Sequence, residues 1–174
     1  MNTSNSVPNA RALWKPQAGA SDNGDFISVE TYSSYSLAIG DPTVTEYLLS
    51  PEASDEELGC AVLGSLRQSR FLSFEEEGYL LENATSNYKL WVEKLMTTYG
   101  YKTKRALFKN MKSCGVECKD NIITIRPSNH EKLEGWSGDG ISQEDYVKVP
   151  SDSPPAEIGR ALRLAFSRCI GLGS

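Results

Sequence analysis

A six-residue helix-opening pattern occurs twice in this chain, one hundred residues apart, as Glu57-Leu58-Gly59-Cys60-Ala61-Val62 and Glu157-Ile158-Gly159-Arg160-Ala161-Leu162. Each copy begins a stripe spaced i, i+3, i+4, i+7, i+8 and i+11: Leu58, Ala61, Val62, Ser65, Leu66 and Ser69, then Ile158, Ala161, Leu162, Ala165, Phe166 and Cys169. That spacing lines one face of an α-helix. Ser54-Asp55-Glu56-Glu57 supplies a capping box for the first copy, with acids at the positive end of the helix dipole. Ser153-Pro154-Pro155 offers the second copy a cap followed by prolines, which the first helical turn tolerates. Glycine inside a helix costs about 1 kcal/mol, so its retention at the same place in both copies predicts that the two helices touch there.

Strand signals precede both helices. Phe26–Tyr32 and Val44–Leu49 are β-branched or aromatic runs ahead of the first, and Asn121–Arg126 and Tyr146–Val149 stand correspondingly ahead of the second. Each half therefore reads strand, loop, strand, helix. Two further helices are expected between the halves. One runs from Ser86 to Tyr99, with Tyr88, Trp91, Val92, Leu95 and Tyr99 on one face and Gly100 as its stop; the other runs from Thr103 to Ser113, burying Leu107, Phe108 and Met111. The next strand is expected at Val116–Cys118. A chain of 174 residues suits one domain. The expected fold is thus α/β (α+β): one mixed β-sheet packed by helices, with two pseudo-repeated halves and two helices inserted between them. Residues 26–174 would form the domain. Residues 1–25, rich in Asn, Ser, Gly, Ala and Pro, would form a loose arm packed through Trp14.

No stretch approaches the roughly 18 consecutive apolar residues of a membrane helix, and the first 25 residues lack the apolar run of a secretory signal. The expected compartment is the cytoplasm, where Cys60, Cys114, Cys118 and Cys169 would remain thiols, serving mainly as buried packing. The net charge of -5 argues against a phosphate backbone as the main partner and for a basic one. The charge is also segregated. Residues 41–85 carry -8, residues 86–113 carry +6 and residues 131–157 carry -5.

Catalytic and metal-binding patterns are weak. The single histidine, His130, would have to anchor any Ser-His-Asp or Cys-His set, and no local motif supports it. Cys114-x3-Cys118 has no second ligand pair nearby for a closed zinc site. Gly135-Trp136-Ser137-Gly138-Asp139-Gly140 lacks a phosphate-loop context and reads as a loop between strands. No catalytic residue, metal or cofactor is expected. The basic residues from Lys89 to Lys112 stand among aromatics, as in a single-strand binder, but at helical spacing those aromatics fall on the core side.

The segments Leu49–Arg70, Tyr99-Gly100-Tyr101-Lys102, Lys109–Cys114, Ile125-Arg126-Pro127, His130–Trp136 and the last helix through Arg168-Cys169 together resemble the CdiI family of contact-dependent growth inhibition immunity proteins, over about residues 26–170. The family pattern places Asp-Gly before an Ile-x-Ile strand, where this chain has Asp120-Asn121. Asparagine also tolerates a left-handed turn. The resemblance implies a non-enzymatic cytoplasmic protein that binds, one to one, the C-terminal toxin domain of a CdiA-type exoprotein, in many systems a nuclease. On that reading the toxin is occluded by acidic loops holding Glu75, Glu76, Glu77, Glu131, Glu134 and Asp139, with Tyr79 and Trp136 as aromatic anchors. Direct nucleic-acid binding is not expected. The competing readings are an RNA-binding or RNA-processing module using the basic helices at 86–113, and a small hydrolase built on His130.

Overall fold

A computed structural model describes residues 9–173. The chain forms α1 (Ala10–Leu13), β1 (Gln17–Asp22), β2 (Ile27–Ser33), β3 (Ile39–Gly40), β4 (Tyr47–Leu49), α2 (Asp55–Gln68), α3 (Phe74–Tyr99), α4 (Lys104–Phe108), β5 (Lys112–Lys119), β6 (Ile122–Arg126), β7 (Asn129–Lys132), β8 (Gly135–Ser137), a short 3-10 turn (Gln143–Asp145), β9 (Val147–Pro150) and α5 (Pro155–Ser167). The strand order is β3-β2-β1-β5-β6-β9, with β4 also pairing with β2, and β7 and β8 form a separate hairpin.

The fold is α+β with repeated halves, as the sequence implies. β4-β2-β1 and β5-β6-β9 each lead into a helix, and the halves join where β1 pairs with β5. Gly19 faces Gly115 in that ladder, flanked by Ala18 opposite Val116 and Ala20 opposite Cys114. Exchanging the halves maps these pairs onto one another, so a pseudo-twofold axis passes through the glycine pair. The same axis relates the helices. A Cβ on Gly59 would overlap the carbonyl oxygen of Pro155, and a Cβ on Gly159 would overlap that of Asp55, the residue equivalent to Pro155 in the other half. The helical glycines exist because α2 and α5 cross in backbone contact. Leu58, Ala61, Val62 and Leu66 of α2 and Ile158, Leu162, Ala165 and Phe166 of α5 bury against Ala18, Ala20, Ile27, Val29, Val116, Ile123 and Ile125 of the sheet. Burying each large side chain contributes roughly 1.5–3 kcal/mol.

Several expectations need correction. The strand ladders of the main sheet are antiparallel throughout rather than mixed, because tight turns reverse the chain between β1 and β2 and between β5 and β6, longer connections return it antiparallel to β4 and β9, and the twofold axis between β1 and β5 sets the two halves antiparallel to each other. Residues 1–8 of the expected loose arm lie outside the described residues, but Gln17–Asp22 of that arm is the central strand β1. Its small residues conceal a strand. Gly19 must be bare because the Tyr32 ring lies across it, where a Cβ would sit 2.6 Å from the hydroxyl. Trp14 does pack, edge-on to Phe71 at 6.5 Å.

Ser153 does not cap α5. Pro154 occupies the N-cap position with no side-chain hydrogen bond, and Pro155 opens the helix. α3 starts about three turns before the expected Ser86, at a capping box in which Ser73 accepts from the Glu76 amide, and it ends as expected at left-handed Gly100. The following helix stops at Phe108, since Lys112 already pairs with Asp22 in β5. Gly135-Trp136-Ser137 is β8 rather than loop. Asp120 and Asn121 both take positive φ, 52° and 62°, and form the tight turn from β5 to β6. Of the four cysteines, Cys60 is exposed rather than packed.

Candidate functional site

The face of the sheet turned away from α2 and α5 is covered by α3, which leaves a cleft of about 690 Å³. The alternation along β2 builds its floor. Ile27, Val29 and Thr31 point to the helices, with the Thr31 hydroxyl donating to the Ser65 carbonyl, so Glu30 and Tyr32 point into the cleft. Asp41–Glu46 form one wall, Ala84, Asn87, Leu90, Trp91 and Lys94 of α3 the roof, and Met111 with Trp136 close one end.

The acidic groups around the cleft each have a partner. Burial pushes the Glu30 carboxyl up to about 7; the Tyr32 hydroxyl donates to it and opposes that rise, while the charge of Glu46 adds to it. The Tyr32 phenol is in turn raised well above its ordinary value by burial and by Glu30. Trp91 Nε1 and Lys94 Nζ donate to the two oxygens of Glu46 at 2.9 and 3.1 Å. Asp41 is fixed by Arg70, whose Nε and Nη2 donate at 2.8 and 3.2 Å, and by the hydroxyls of Ser33 and Thr43. Burial alone would raise the Asp41 carboxyl, but these hydrogen bonds outweigh it and lower it to about 2.

The residues expected from sequence fall into three situations. Glu77 is 5% exposed and accepts from the amides of Tyr35, Ser36 and Leu37, so it ties α3 to the loop after β2 rather than facing a partner. Burial raises its carboxyl, and those amides and the Ser36 hydroxyl bring it below its ordinary value. Its position on the inner side of α3 explains the correction, since a helix turns only part of an acidic run outward. Glu75, Glu76 and Tyr79 are exposed on the first turns of α3. Glu131, Glu134 and Asp139 are exposed in and after the β7–β8 hairpin, and Trp136 lines the cleft end.

Glu134 accepts from the Tyr88 hydroxyl at 2.9 Å and from Lys104 Nζ at 3.4 Å. Tyr88 lies about 18 Å along the helix from Glu76, so the structure gathers the hairpin residues near the cleft but not Glu75, Glu76 and Tyr79 with them. The basic block is partly spent inside the molecule, with Lys94 on Glu46 and Lys104 on Glu134. Each pair joins it to one of the acidic blocks.

His130 is buried, stacks on Trp136 with centroids 4.6 Å apart, and donates from Nε2 to the Leu133 carbonyl at 2.8 Å. The Trp136 indole donates to the Met111 carbonyl at 3.0 Å. The histidine thus braces the hairpin that carries Trp136. Among the described residues, no group of three or more His, Cys, Asp and Glu side chains is arranged to hold a metal ion. The sequence does not point to Glu30, Tyr32 and Glu46 as site residues, and it points to Trp91 only as an aromatic on the core side of its helix. The available signal was Glu30 and Tyr32 on the alternate face of an otherwise core-facing strand.

The fold and cleft define a class: a pseudo-symmetric α+β domain with an inserted helical roof over one half of its sheet. Residues 17–169 match the family model described as CdiI, CDI immunity protein, and the chain belongs to that family. The match begins at β1, ahead of the residue 26 at which the sequence resemblance begins. The chain is 46% identical over 163 residues to Immunity protein CdiI-YPIII of Yersinia pseudotuberculosis serotype O:3 (strain YPIII), covering 86% of this chain and 92% of that protein. Its fold matches a chain of the CdiA-CT/CdiI toxin and immunity complex from Yersinia pseudotuberculosis, with a TM-score of 0.82 and 41% identity over 90% of this chain and 98% of that one. It also matches a protein of unknown function from Neisseria meningitidis, with a TM-score of 0.83 and 34% identity over 90% and 96% of the two chains.

Proposed function

We propose that this protein neutralises the C-terminal toxin domain of a cognate CdiA-type exoprotein by forming a one-to-one complex through the cleft between the sheet and α3. The observation that carries this reading is the cleft itself: an open cavity of about 690 Å³ on an immunity-family fold, with apolar walls and Glu30, Glu46 and Asp41 around it. Trp136 and Glu134, with exposed Glu131 and Asp139 on and after the same hairpin, extend the surface at one end; exposed Glu75, Glu76 and Tyr79, on the first turns of α3, offer a separate contact. The protein acts in the cytoplasm as an inhibitor rather than a catalyst. No helix among the described residues is long and apolar enough to cross a membrane. A net charge of -5 suits a basic partner such as a nuclease, whose active site or substrate groove the complex occludes.

The test is calorimetric titration against the toxin domain encoded beside this protein, for the unmodified chain and two variants. Leu90→Arg places a charge on the cleft roof, and Leu164→Arg places one on an exposed position of α5, behind the sheet. The expected result is one-to-one binding weakened about 30-fold or more by Leu90→Arg and unchanged by Leu164→Arg. Failure of the unmodified chain to bind would overturn the immunity reading; equal binding by both variants would overturn only the cleft.

A further inference from the structure

Cys114 and Cys169 are fifty-five positions apart in sequence, yet their sulfurs lie 3.7 Å from each other. Cys114 belongs to the central strand β5 and is buried, while Cys169 follows the end of α5 and is half-buried. The chain holds this pair in place from both sides. Ile170 donates to the Ser128 carbonyl and His130 to the Ile170 carbonyl, which pins the segment after α5 beside β7. The Ser113 carbonyl, one residue before Cys114, lies 3.6 Å from the Cys169 sulfur. The two sulfurs are thus held in contact with each other.

We propose that Cys114 and Cys169 form a dithiol–disulfide site that takes a low-molecular-weight disulfide as its reaction partner. Cys169 is the attacking residue, since it is the member that solvent reaches. Its thiolate forms a bond to one sulfur of the small disulfide, the disulfide bond breaks, and one small thiolate leaves. The Cys114 thiol then attacks the Cys169 sulfur and expels the second small thiolate, which leaves with the Cys114 proton. Two electrons pass from the protein to the small disulfide, giving one protein disulfide and two small thiols. The surroundings suit these roles. A hydrogen bond from Cys114 lowers the Cys169 thiol to about 7, against the effect of burial and with help from the Ser128 amide and the Lys112 charge. Cys114 is raised by the same contact and by burial, so the buried thiol keeps its proton until the mixed disulfide has formed. Among the described residues, exposed Cys60 has no such neighbour, and Cys118 is hydrogen-bonded with Ser151 instead.

The experiment equilibrates the full chain with oxidised glutathione and follows thiol titration, intact mass and peptide mapping. The expected result is that the Cys114 and Cys169 thiols disappear together, while exposed Cys60 can at most carry a separate adduct. A Cys114–Cys169 cross-link should appear and dithiothreitol should reverse it. Cys114→Ala should stop at a stable glutathione adduct on Cys169, and Cys169→Ser, a substitution at a half-buried position, should slow the loss of thiols at least about tenfold. Retention of both the Cys114 and Cys169 thiols, a cross-link through Cys60 or Cys118, or a glutathione adduct that persists on Cys169 in the unmodified chain would overturn the proposal.

Discussion

Asp41 and Glu30 stand on opposite sides of the acid–base balance of this fold. Asp41 has a folded-state carboxyl lowered to about 2 from 3.8, so the stability it confers is present above pH 3.8 and is lost as pH falls through about 2. Asp41→Asn is expected to cost about 2 kcal/mol at pH 7 and almost nothing near pH 2, measured by urea denaturation at the two pH values. Glu30 has the opposite sign. Its folded-state value is raised from 4.5 to about 7, so the folded state favours the proton, and the associated stability is fully present below pH 4.5 and lost as pH rises through about 7. Glu30→Gln keeps an acceptor for Tyr32 and removes the ionisation. It should leave stability near pH 4.5 unchanged and raise it by about 2 kcal/mol at pH 8; a gain of equal size at both pH values would show that Glu30 is not titrating in the cleft.

At the scale of elements, the crossing of α2 and α5 makes the sharpest prediction. Gly159→Ala introduces a methyl where the Asp55 carbonyl already lies, and the helices must separate to admit it. Helix propensity alone would favour alanine by about 1 kcal/mol. The overlap should reverse that sign and cost roughly 3 kcal/mol, read as a lower midpoint in chemical denaturation, and Gly59→Ala should behave alike because the halves are equivalent. Legibility varied by element for physical reasons. α2, α5, β2 and β6 carry their apolar periodicity in sequence, and the Ser54 capping box marks its boundary directly. β1 is hidden because Gln-Ala-Gly-Ala-Ser-Asp has no β-branched residue; its small side chains answer to Tyr32 on one face and to the helices on the other. The start of α3 was marked by a second Ser-x-x-Glu box at Ser73, but the exposed Phe74, Tyr79 and Leu81 blur the stripe that follows it.

The whole molecule is an approximately symmetric scaffold carrying an asymmetric attachment. The segregated charge of the sequence resolves at this scale, since the basic middle segment folds back on acidic partners to either side through Lys94–Glu46 and Lys104–Glu134. Trp136 and Glu134 were legible as candidates because a hairpin aromatic beside acids is a local signal. Glu30 and Tyr32 were not, because their place in a cleft depends on α3 covering one half of the sheet. On the other half, the equivalent face of β5, β6 and β9 shows Thr124, Lys148 and Ile122 over a shallow groove. The glycine pair Gly19–Gly115 marks the boundary between the two. The paired halves make one shared core at that axis, while the segment from Phe71 to Met111 lies outside it and packs through a second cluster, in which Val92, Leu95, Leu107, Phe108 and Met111 surround Phe26. On the proposal that the toxin docks in the cleft, changes confined to the exposed side chains of this roof alter recognition without touching the core that the two halves share.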